Sequence, residues 1–185
     1  MADDLEIPLT GTTLVVGPSN AGKTRQTADA MTRWIDANGP EGCVILDFAP
    51  EVERDGTVLG GHVTRFVDVP DGVHHGVVDA HAPRADGDSP GDALALAEAN
   101  AAAAAARFDA APDDPRAVFV NDATIACQAD AAAADRLLAY CDRAETAVLN
   151  AFESDELGVD DPVSENERAA LARFREWADR VVDLS

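Results

Sequence analysis

The chain has 185 residues, 46% of them hydrophobic, which is enough to bury a core and suits one α/β domain over 1–185 better than two. Acidic residues number 35 against 14 basic ones, a formal net charge of -21 spread along the whole sequence. The thirteen arginines occur singly rather than in runs, so nucleic acid and anionic membranes are unsuitable partners.

No apolar run approaches ~18 residues, and the acidic start at 1–6 has no hydrophobic leader core, so the chain reads as neither membrane-spanning nor exported. Cys43, Cys127 and Cys141 are scattered without CxxC spacing, as core thiols of a cytoplasmic protein would be.

Short β-branched runs alternate with helical patterns, which predicts a three-layer α/β/α fold with a mainly parallel central sheet. The first unit is a buried strand at 12–16, a glycine loop, and a helix at 23–37 that buries Ala28, Met31, Trp34 and Ile35. A second strand at 43–46 ends in Asp47. The stretch from about 49 to 88 reads as an irregular excursion near the sheet edge, with weak strands at 62–69 and 76–79. Ser89 then caps a helix with Pro90 in its first turn, running over 92–109 through a six-alanine segment. A strand at 117–120 leads into Asn121-Asp122, a helix covers 130–143, and a strand at 146–149 ends in Asn150. Beyond an acidic loop, Ser164 and Glu167 have the spacing of a capping box, and 180–184 forms a closing strand.

The segment Gly17-Pro18-Ser19-Asn20-Ala21-Gly22-Lys23-Thr24 matches G-x-x-x-x-G-K-[ST] between an apolar strand and an amphipathic helix. In that context backbone N–H groups turn inward at a helix N-terminus and favour phosphate. Lys23, the single lysine of the chain, is expected to bridge the β- and γ-phosphates, and the Thr24 hydroxyl to ligate Mg2+. Such a loop needs an acid from a neighbouring strand end to hold the metal through water. Asp122 is the first choice, with Asn121 bonding a metal water or the Thr24 hydroxyl; Asp47 is the competitor for the metal or sits near a second substrate. Asn150 reaches the same sheet edge, where its amide senses the γ-phosphate or simply starts a turn. Glu51 and Glu53 are candidates for the base that polarises water. His62, His74, His75 and His81 crowd together but fit no zinc spacing, and adjacent His74 and His75 on an extended segment would point oppositely.

These motifs, with the strand–helix alternation, resemble a compact P-loop NTPase of the RecA-like branch, in which a polar sensor follows the Walker B strand. The adenosylcobinamide kinase family is similar in size and fold. It has an arginine after its Lys-Ser/Thr, as Arg25 stands here, and a downstream histidine like His62, but residues 152–158 depart from its Asn-Glu-Val-Gly stretch. The dense Asp, abundant Ala and lone Lys resemble cytoplasmic proteins of extreme halophiles, whose carboxylates keep the surface hydrated in molar salt.

The resemblance implies nucleoside triphosphate binding and Mg2+-dependent hydrolysis, with a protein partner if hydrolysis drives a change in an assembly. The alternatives are phosphoryl transfer to a small-molecule acceptor near Asp47, His62, Arg65 or Arg84, and a module that binds nucleotide without turnover. ATP is favoured over GTP because no Asn/Thr-Lys-x-Asp guanine motif follows the later strands.

Overall fold

The computed structural model describes residues 6–156 and 158–185; the acidic start at 1–5 and Leu157 of the 152–158 comparison lie outside them. In chain order the elements are β1 (Gly11–Gly17), α1 (Lys23–Asn38), β2 (Cys43–Asp47), a hairpin of β3 (Glu51–Arg54) and β4 (Thr57–Gly60), β5 (His74–Val77), α2 (Pro83–Asp86) and α3 (Pro90–Ala110). They continue with β6 (Ala117–Asn121), α4 (Ala133–Cys141), β7 (Thr146–Phe152), α5 (Pro162–Trp177) and β8 (Arg180–Asp183). Six strands form one parallel sheet in the order β5-β2-β6-β7-β1-β8.

Alternation along the strands fills two cores. Val15, Ile45, Phe119 and Val148 face Ala28, Met31 and Trp34 of α1. Leu14, Val44, Val118 and Leu149 face the layer that contains Ala104, Leu137 and Phe174 of α3, α4 and α5. With both faces covered, the central strands are mostly apolar, as a parallel sheet requires. The expected α/β/α layering is therefore present. Among the described residues no helix is long and apolar enough to cross a membrane. All three cysteines are buried and unpaired, and burial pushes the Cys43 and Cys127 thiols up to about 12.

The chain leaves β1 for α1 on one face of the sheet and leaves the adjacent β7 for α5 on the other. At such a switch point the diverging connections open a crevice at the carboxyl ends of the strands.

The excursion differs from its sequence reading. Residues 62–69 are not a strand: Val63–Arg65 is a 3-10 turn, and the apolar alternation there reflects Val63, Val67 and Val69 packing on the α1-side core. The edge strand is His74–Val77 rather than 76–79, and β3–β4 forms an unforeseen hairpin whose Asp55 and Gly56 both have positive φ. Helix α4 is shorter than 130–143; at its start the Asp130 side chain turns back on the Ala132 N–H.

At α5 the cap is Asp161, with Pro162 at the first helical position; the Asp161 carboxylate accepts the Ser164 N–H at 2.9 Å and its hydroxyl at 2.6 Å. Glu167, freed from the predicted capping box, turns inward to Arg84 at 2.7 Å.

Candidate functional site

β1 delivers the chain into the loop at 17–24, where Asn20 (φ 60°) and Gly22 (φ 96°) take left-handed conformations. A Cβ on Gly22 would meet nothing within 4 Å, so glycine is required there by backbone angle rather than by space. Helix α1 begins at Lys23 with no side-chain cap and no acidic residue in its first turn, which leaves its leading N–H groups and positive dipole end facing the crevice. Lys23 folds back over the loop, its Nζ donating to the Pro18 carbonyl. The loop floors a cavity of about 400 Å³ whose walls include Arg25, Arg65, Phe66, Asp122 and Phe152.

Behind the loop, polar side chains join α1 to the ends of β2 and β6 and to the interior of β7. Thr24 Oγ1 donates to Asn121 Oδ1 at 3.1 Å, and the same oxygen accepts Asn150 Nδ2 at 2.9 Å. Asn121 Nδ2 donates to Asp47 Oδ1 at 2.8 Å and to the Gly61 carbonyl at 2.9 Å. Asp47 Oδ2 accepts the Val63 N–H at 3.0 Å, with His75 Nε2 3.1 Å away. Asn150 also donates to Thr27 Oγ1 and accepts the Asp122 N–H at 2.8 Å. Its amide is thus spent on holding Asn121, Thr27 and Asp122. Asn150 lies inside β7, paired with Val15, rather than at the strand end.

The group that meets Thr24 is therefore an amide, and Asp47, fully buried, sits one side chain further back. Asp122 follows in a left-handed conformation (φ 57°) and brings its carboxyl to the cavity wall, where the Thr124 hydroxyl donates to it at 3.4 Å. Burial, reinforced by the nearby Glu167 carboxylate, pushes Asp122 up to about 6, against the opposing pull of Lys23, the Thr124 bond and Arg84. Burial holds the Lys23 ammonium below its ordinary value, opposed by Asp122 and Glu156. Among the described residues no cluster of three His, Cys, Asp or Glu could hold a metal by itself. Thr24 and Asp122 are hard oxygen donors, a set that fits Mg2+ sharing its coordination with phosphate oxygens and water.

Glu51 and Glu53 lie exposed on β3 and do not line the cavity; Glu51 instead accepts the His62 N–H at 3.4 Å. Arg84 stands on the far side of Phe152, paired with Glu167, and lines a second cavity of about 480 Å³. His75 turns toward Asp47, while His81 is held through its backbone by Asn100.

Three features had no signal in the sequence. The guanidinium groups of Arg25 and Arg65 both lie against the Phe66 ring, with Cζ atoms 5.3 Å and 5.8 Å from its centroid. Glu156 accepts the Ser19 N–H of the loop at 3.0 Å. Glu167 pairs with Arg84 and accepts the Gln128 amide N–H at 2.6 Å.

Neither a protein-family model nor a curated protein matches the sequence.

Proposed function

We propose that this chain binds a nucleoside triphosphate, ATP by preference, with Mg2+, and hydrolyses it as a P-loop NTPase of the RecA-like type. One observation carries the reading: the Gly17–Thr24 motif forms an uncapped helix N-terminus whose Thr24 hydroxyl reaches across to Asn121 at the end of β6, with β7 lying between the two strands. The charge of the cavity supports it. In a chain of net charge -21, the lining holds Lys23, Arg25 and Arg65 against Asp122 alone, which is the local inversion of sign that a polyphosphate needs.

In this reading the loop N–H groups and Lys23 hold the β- and γ-phosphates, and Thr24 and Asp122 would hold Mg2+ directly or through water. The metal would neutralise charge on the phosphate oxygens. Water attacks the γ-phosphorus, the bond to the β–γ bridging oxygen breaks, that oxygen leaves on the diphosphate, and the proton of the water goes to an oxygen of the released phosphate. A second reading, nucleotide binding without turnover, is favoured by the Asn121 amide occupying the strand-end position beside Thr24.

The test is equilibrium binding and phosphate release in molar KCl with Mg2+. Lys23→Ala should weaken ATP binding roughly 100-fold, and Asp122→Asn should keep binding while phosphate release falls at least about 100-fold. Unchanged binding in Lys23→Ala defeats the whole reading. Tight binding by the unaltered protein without phosphate release leaves the second reading standing.

A further inference from the structure

We infer that Arg65 is the residue that reads the γ-phosphate, so that the cavity distinguishes a nucleoside triphosphate from a diphosphate; this rests on the nucleotide reading above. The end of the cavity at which Arg65 stands follows from Asn121. Its Oδ1 accepts the Thr24 hydroxyl, and its Nδ2 donates to the carbonyl of Gly61, four residues before Arg65. The segment carrying Arg65 is therefore tied to the same side chain as the Thr24 hydroxyl, which would hold Mg2+ in the nucleotide reading. A second tie is the Val63 N–H on the buried Asp47 carboxylate.

The side chain is placed rather than free. Arg65 Nη1 donates to the Gly60 carbonyl at 2.7 Å, and a Cβ on Gly61 would fall 2.6 Å from Arg65 Cδ, so the absence of a side chain at 61 is what lets the Arg65 stem lie there. Arg25 and Arg65 approach one ring, that of Phe66, which is 38% exposed, and among the described residues neither makes an ion pair. An unmatched guanidinium charge is a ready partner for a phosphate anion. Arg25 and Arg65 both line the cavity that the phosphate loop floors. The anion whose position follows from the Thr24–Asn121–Gly61 connection is the terminal phosphate.

The experiment compares the Kd of a non-hydrolysable ATP analogue with that of ADP, both with Mg2+ in molar KCl, for the unaltered protein, Arg65→Gln, Arg65→Lys and Lys23→Ala. Arg65→Gln should weaken the triphosphate roughly 10-fold and ADP by less than about 2-fold, with part of the loss restored in Arg65→Lys. Equal weakening of both nucleotides, or of neither, overturns the inference. Lys23→Ala should weaken both. Should it weaken neither, or should the unaltered protein bind neither nucleotide, the nucleotide reading itself fails. Because Arg65 is exposed and outside both cores, its replacement leaves the fold intact, which the melting temperature of each variant checks.

Discussion

The two sides of the cavity over the Gly17–Thr24 loop are built in opposite ways. The wall on the β2 side, residues 60–66, is fixed from behind by buried polar contacts, Asn121 to the Gly61 carbonyl and Asp47 to the Val63 N–H, and presents Arg65. The wall on the α5 side is the loop after β7, which presents the Glu156 carboxylate to the Ser19 N–H from an exposed position. An acidic chain thus forms a cationic cavity largely by keeping its carboxylates out of it. Asp47 is turned toward the Asn121 amide, and Glu167 is matched by Arg84 and Gln128. Asp122 is left as the acid that lines the cavity, and Glu156 stands at the loop. The positive wall is held by buried polar contacts, and the carboxylate at the loop by one exposed hydrogen bond.

Removing Asp47 should break this contrast most. Its two oxygens serve the Asn121 amide, the Val63 N–H and His75 in a fully buried setting, so Asp47→Ala strands several donors at once. The expected cost is about 3 kcal/mol of stability, read by urea unfolding, and the melting temperature should drop by roughly 10 °C. Hydrogen exchange should locate the loss in residues 60–66 and leave 153–156 unaffected. A cost under about 1 kcal/mol means that this wall is not held from behind.

How legible these walls are from sequence depends on the range of the contacts that make them. The loop, β1 and α1 are local, and their glycine spacing and helical period are enough to read them. Asp47, Asn121 and Asp122 were legible as strand ends because a parallel sheet collects those ends along one edge. The 60–66 wall was not, because the alternation of Val63, Val67 and Val69 imitates a strand although it arises from a 3-10 turn packed on α1. The β3–β4 hairpin carries an Asp55-Gly56 turn signal, but Glu, Arg, Thr and Gly beside it make weak strands by composition. At α5, Ser164 and Glu167 satisfy the capping-box spacing, and only the tertiary partner Arg84, 83 residues before Glu167, shows that Glu167 is used elsewhere. The junction of Arg25, Arg65 and Phe66 likewise joins separate segments and exists only once the chain has folded.

The α5 wall is sharpened by its anchor, the Asp161 cap. Asp161→Ala should cost about 1 kcal/mol near pH 7. Burial alone would raise the Asp161 carboxyl, but the Ser164 hydroxyl, the Ser164 N–H and Arg84 outweigh it and hold it below the usual carboxylate range. A depressed folded value means that the stabilisation is complete above the unfolded pKa of about 3.9 and is lost as the pH falls through the folded value. The stability difference between the unaltered protein and Asp161→Ala should accordingly stay flat from pH 7 to about 5 and shrink in more acidic solution. A difference that grows on acidification would contradict this anchoring.

The smallest effect expected belongs to Glu156, and it tests the α5-side wall directly. The carboxylate occupies a loop N–H at 3.0 Å and lies close enough to Lys23 to act on its charge. A phosphate seated on the loop has to compete with it for both. Glu156→Gln removes the charge while an amide oxygen can still meet Ser19, so the competitor becomes a weaker acceptor. Nucleotide and inorganic tripolyphosphate should then both bind about 2- to 5-fold more tightly. In dilute salt the gain should be larger, because at 1 M salt the screening length is only ~3 Å and much of the longer-range repulsion has already vanished. Unchanged or weaker binding of tripolyphosphate would mean that Glu156 is not in the path of the phosphates, and the α5-side loop would then be an inert rim. A gain in affinity with no loss of stability would establish that the negative wall yields to the ligand while the Arg65 wall stays in place to receive it.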